Sequence, residues 1–89
     1  MTALASRLPP RPRGVRKHWR KVSPSLTECG ARMRDLCPWA TDLGDPVEAQ
    51  EFWYRGSLKR IEAIFADGQH VSLSRHASGH FVYRVRMAA

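Results

Sequence analysis

Ile61-Glu62-Ala63-Ile64-Phe65-Ala66-Asp67-Gly68-Gln69-His70-Val71-Ser72-Leu73-Ser74-Arg75-His76-Ala77-Ser78-Gly79-His80-Phe81-Val82-Tyr83-Arg84-Val85-Arg86-Met87 is the stretch that decides the fold. Three β-rich runs are separated by Ala66-Asp67-Gly68 and Ala77-Ser78-Gly79. Each triplet suits a three-residue hairpin loop, a type I turn followed by a left-handed glycine. The first loop sets Phe65 opposite Gln69, Ala63 opposite Val71 and Ile61 opposite Leu73. The second sets His76 opposite His80, Leu73 opposite Tyr83 and Val71 opposite Val85. The two loops agree, because one face then collects Ile61, Ala63, Phe65, Val71, Leu73, Phe81, Tyr83, Val85 and Met87. A slip of one residue in either hairpin would destroy that segregation. The stretch therefore predicts a three-stranded antiparallel meander.

The opposite face carries Arg60, Glu62, Ile64, His70, Ser72, Ser74, His76, His80, Val82, Arg84 and Arg86. Glu62, Ser72 and Arg84 fall in one row, and Arg86 lies opposite His70. This reads as a solvated outer face on which Arg60, Arg84 and Arg86 can meet phosphates. It lacks the aromatic pair on which sheet-based RNA readers stack bases.

A bare meander is not stable, so the apolar face needs a cover from upstream. Ser23-Pro24 offers a helix start, and Ser25 with Glu28 offers a competing capping box. A helix from either point runs to about Leu36, with Leu26, Cys29, Met33, Leu36 and Cys37 on one face. Pro38 ends it. Gly30 costs this helix roughly 1 kcal/mol against alanine, and a glycine there permits close packing. Asp45-Pro46 and Glu48 predict a second, shorter helix ending near Tyr54, with Gly56 as its stop. Phe52-Trp53-Tyr54 spans about 200° of such a helix, so one ring must be exposed. Trp39, Phe52, Trp53 and Tyr54 are therefore the candidate anchors for a protein partner.

The 89 residues carry 15 Lys and Arg against 8 Asp and Glu. Residues 1–21 hold Arg7, Arg11, Arg13, Arg16, Lys17, Arg20 and Lys21 and no acid, whereas the remainder is charge-balanced. Leu8-Pro9-Pro10-Arg11-Pro12-Arg13-Gly14 cannot sustain a helix and favours an extended, solvated backbone. The expected organisation is a flexible basic Pro/Arg-rich arm over 1–22 and a single small domain over 23–89. The fold class is α+β: one or two N-terminal helices on one face of a three-stranded antiparallel β-meander, preceded by a disordered basic arm. Deleting residues 1–21 should then leave the domain folded.

Arginines on a flexible arm can follow a phosphate backbone and release its counterions. Trp19, among Arg16, Lys17, Arg20 and Lys21, can stack on an unpaired base or anchor the arm. The leading expectation is a non-enzymatic nucleic-acid-associated protein, DNA or RNA unspecified. Its contacts would be Arg11, Arg13, Arg16, Lys17, Trp19, Arg20 and Lys21, with Arg60, Arg84 and Arg86 as lesser ones. The alternative is a small protein-binding module, an adaptor or mobile-element inhibitor of a larger complex, steered by the arm's charge. No cofactor is expected. His76 and His80 face each other without a third ligand nearby, so no metal is expected either. Cys29 and Cys37, eight residues apart, lack zinc-site spacing and read as buried free thiols of a cytoplasmic protein. No run of the sequence approaches the length of a membrane span.

Overall fold

The computed structural model describes residues 8, 9, 11–38 and 44–87. In chain order these form β1 (Arg20–Val22), α1 (Leu26–Leu36), β2 (Glu48–Tyr54), β3 (Ser57–Ile64), β4 (Gln69–Arg75) and β5 (Phe81–Met87). The class is α+β, but the antiparallel sheet has five strands in sequential order rather than three. Its last three strands carry the register read from the loops. Ala63 pairs with Val71, Ile61 with Leu73, Leu73 with Tyr83 and Val71 with Val85. Gly68 and Gly79 close the two hairpins at φ of 89° and 98°.

The later of the two helix starts is the one used. Ser25 caps α1, its Oγ accepting from the Glu28 amide at 3.4 Å. Cys29, Met33 and Cys37 are buried against Leu58, Ile61, Ala63, Phe65, Val71 and Leu73. Leu26, expected on that buried face, is 39% exposed. Gly30 is where α1 meets the chain entering β2. A Cβ at this position would overlap Asp45 Oδ1 and come within 3.1 Å of the Asp45 Cα. Helix propensity alone makes Gly30→Ala stabilising by about 1 kcal/mol. We expect the reverse, a lowered thermal midpoint, because a backbone atom must move; a raised midpoint would show that the Asp45 loop yields freely.

The predicted second helix is not formed: residues 48–54 are β2. Its strand alternation is hidden because both faces are covered. Ala49 and Trp53 pack on the helix side, whereas Gln50 and Phe52 are buried on the other. Strands buried on both faces read as continuous rather than alternating runs. What resembled a helix stop is a two-residue turn, with Arg55 and Gly56 at φ of 51° and 75°. The pairing shifts between Phe52 and Trp53, leaving Lys59 as a bulge.

The expected disordered arm is also corrected. Arg20–Val22 pairs with Glu51–Trp53 as the first strand. Residues 8, 9 and 11–19 lie on the sheet face opposite α1, with Leu8, Pro12 and Val15 buried. The Gln50 amide donates to the Pro9 carbonyl at 3.1 Å, and Arg60 Nη1 donates to the Arg13 carbonyl at 3.0 Å. A turn links them, its Val15 amide donating to the Pro12 carbonyl at 3.1 Å. Gly14 sits in its third position at φ of 92°, which a type II turn requires. The Pro/Gly content that suggests an extended tail thus encodes a fold-back. Part of the expected solvated face is consequently a second buried layer, in which Ile64 and Glu62 are fully buried beside Phe52 and His70 is 4% exposed, while His76, His80, Arg84 and Arg86 stay exposed.

Candidate nucleic-acid interface

Between this arm and strands β3 to β5 runs a groove of about 700 Å³. Arg11 and Arg13 line it from the arm, and Arg60, Arg75, Arg84 and Arg86 from the sheet. Among the described residues, no carboxylate lines it. The register explains the sheet's share. Arg60 pairs with Ser74, and Arg84 and Arg86 pair with Ser72 and His70, so all project to the arm's side. The arm's turn brings its own two arginines over them.

Beneath the groove runs a buried polar chain. Glu62 Oε2 accepts from Arg60 Nε at 3.1 Å, and Glu62 Oε1 lies 3.0 Å from His70 Nε2. Arg86 Nε donates to His70 Nδ1 at 3.4 Å. A carboxylate on one ring nitrogen and a guanidinium on the other assign the Nε2–H tautomer to His70. The imidazole is held on both sides and serves to position Arg86. Beneath the groove Glu62 neutralises one cation, Arg60, and Arg11, Arg13, Arg84 and Arg86 remain around it.

Those guanidiniums are not equally committed. Arg60 is held by Glu62 and the Arg13 carbonyl. Arg75 donates to the Leu58 and Gly79 carbonyls and lies over Phe81, 4.8 Å from the ring centroid. Arg11 donates to the Arg16 carbonyl at 2.9 Å. Among the described residues, Arg86 has only the long contact to His70. Among the described residues, the Arg13 and Arg84 side chains have no hydrogen-bond partner. Planar guanidiniums with unused donors are suited to bidentate contact with phosphate oxygens.

No known protein family, curated protein or solved structure matches this chain. The functional reading therefore stands on the geometry.

Of the sequence-predicted contacts, the fold gathers Arg11, Arg13, Arg60, Arg84 and Arg86 into one groove. Arg16, Lys17, Arg20 and Lys21 are exposed along the chain leading into and through β1, and Trp19 is half-buried beside His18. Arg75 was missed. The register gave no signal for it, because it sets Arg75 opposite Phe81 on the helix-side face, and Arg75 borders the groove only at the end of β4. The candidate protein anchors do not survive as a patch. Phe52 is fully buried, and Trp53 faces the helix side, its Nε1 donating to Glu51 at 3.0 Å. Tyr54 is half-buried against His18, and Trp39 lies outside the described residues.

Cys29 and Cys37 are free and buried. Burial, and then the Glu51 charge beside it, push the Cys29 thiol up to about 12, so it is no thiolate nucleophile near neutral pH. His76 and His80 stack at 4.8 Å with Ser78 hydrogen-bonded to both. Among the described residues, no group of three potential ligands could hold a metal. No described helix is long and apolar enough to cross a membrane.

Proposed function

We propose that this protein is a non-enzymatic nucleic-acid-associated protein whose groove between the arm and the sheet grips the phosphodiester backbone. The observation that carries this reading is the convergence of Arg11 and Arg13 from the arm with Arg60, Arg84 and Arg86 from the sheet on a groove that, among the described residues, has no lining carboxylate. A solvated face would disperse such charge. Here the buried Glu62–His70 chain spaces Arg60 and Arg86 from below while the arm supplies Arg11 and Arg13 from above. Phosphate contacts of this kind give affinity and register without sequence readout. The protein-binding alternative loses its central anchor, because Phe52 is inaccessible.

The test is Arg13→Ala combined with Arg84→Ala. Neither guanidinium holds another residue, so the thermal midpoint should not change. The slope of log affinity against log salt should flatten by about 2, with a loss on the order of 10–100-fold near 0.1 M salt. An unchanged slope would place phosphate binding elsewhere.

A further inference from the structure

A second cationic surface lies on the same sheet face, at the β1–β2 side. Lys21 pairs with Phe52, so it and Tyr54 project to the arm's side of the sheet. There the His18 ring meets Tyr54 edge to face at 4.6 Å, and Trp19 lies 6.5 Å from His18. His18 is exposed, while Trp19 and Tyr54 are half-buried, so none of the three residues is closed off from solvent. Arg16, Lys17 and Lys21 are exposed on the adjoining chain, whereas Arg20, opposite Trp53, projects to the helix side.

Arg55 provides an independent observation. It occupies the first position of the β2–β3 turn at φ of 51°, the left-handed region, where glycine, asparagine or aspartate is the ordinary choice. Holding a long side chain there is unfavourable. Its guanidinium lies 5.1 Å from the centroid of the Tyr54 ring, yet Arg55 itself is exposed. The turn thus keeps a cation stacked beside three clustered rings at the surface.

Resting on the phosphate reading above, we infer that the nucleic acid this face takes is single-stranded: unpaired bases stack on the His18–Trp19–Tyr54 cluster under Arg55, while phosphates occupy the arginine groove. A duplex keeps its base faces stacked inside and offers nothing to these rings. Unpaired bases of either RNA or DNA present a free π-face, and base–aromatic stacking tolerates any sequence. The five strands set β1 and β5 about 19 Å apart, so one strand of several nucleotides is needed to meet both surfaces.

The test titrates the full-length protein with labelled twelve-nucleotide oligouridine, oligothymidine and a duplex of equal length, across several salt concentrations. Single strands should bind at least tenfold more tightly than duplex at equal salt. Trp19→Ala should weaken single-strand binding about tenfold and change duplex binding less than about twofold. Arg55→Gly guards against a mere folding defect, because glycine relieves the left-handed backbone. It should keep or raise the thermal midpoint and still weaken single-strand binding severalfold. Equal binding of single strands and duplex, with no effect of Arg55→Gly, would overturn the single-strand assignment while leaving the groove intact. If Trp19→Ala weakened both alike, the rings would be an anchor for the arm only. Failure of every oligonucleotide to bind at low salt would overturn the phosphate reading itself.

Discussion

Removing residues 1–19 should leave a chain that no longer unfolds cooperatively. This is the largest effect expected, and it reverses what a detachable charged tail would do. Burying a Leu or Val side chain stabilises by about 1.5–3 kcal/mol, and Leu8 and Val15 are both buried. Their loss also uncovers Phe52 and Ile64, which are fully buried on the same face. A domain of this size has roughly 4–13 kcal/mol of stability in total. The truncated protein therefore falls near or below the folding threshold. Urea unfolding followed by far-UV circular dichroism measures this. A transition near zero denaturant, or none, is the expected result. A cooperative transition at the full-length midpoint would mean that the arm covers nothing of consequence.

The second large effect is expected at Arg32→Ala on the other side of the sheet. Glu51 sits among the helix-facing residues with a side chain 2% exposed. Arg32 Nε and Nη2 donate to its Oε2 at 2.9 and 2.7 Å, and Trp53 Nε1 donates to its Oε1 at 3.0 Å. Truncating Arg32 leaves a buried carboxylate without its counter-charge, a change that costs 3–5 kcal/mol for fully buried pairs. Arg32 is itself a third exposed, so about 3 kcal/mol is the appropriate figure. That corresponds to a fall in melting temperature of about 12 °C or more for a domain this small. Adding Glu51→Gln to Arg32→Ala should recover part of the loss, because the stranded charge is gone. If Arg32→Ala melts within 3 °C of the parent, the pair is a surface contact and the burial of Glu51 has been misjudged.

The part of the fold that was legible is the part whose turns carry their own chemistry. Ala66-Asp67-Gly68 and Ala77-Ser78-Gly79 each specify a pairing, and the apolar residues of β3 to β5 check one against the other. Ser25 and Glu28 likewise mark the start of α1. What was hidden lay where both faces of a strand are covered. In β2, Phe52 goes under the arm and Trp53 goes toward the helix, so the aromatic run has no period to read. Asp45-Pro46 then imitates a helix cap. β1 is three residues long with two exposed cations, and nothing in Arg20-Lys21-Val22 separates it from a tail.

The arm hides its role differently. Its buried positions, Leu8, Pro12 and Val15, are too sparse for any periodicity, and its turn depends on one glycine. Glu62, His70 and Gln50 were read as a wet face because they are polar. They are buried because Arg60, Arg86 and the Pro9 carbonyl satisfy most of their hydrogen bonds. The site was legible in its pieces. Arg60, Arg84 and Arg86 fall on one face by register, and Arg11 and Arg13 stand out by composition. Their meeting in one groove follows only from the fold-back at Gly14.

The central claim is that this groove holds phosphates. The most direct measurement follows the arginine Nε–Hε resonances of the full-length protein by NMR while a twelve-nucleotide oligouridine is added at low salt. The account predicts that Arg13, Arg84 and Arg86 shift first and saturate together, with Arg32 and Arg34 on the helix side unmoved. Shifts centred on Arg32 and Arg34, or no shift at any groove arginine at saturating oligonucleotide, would contradict it.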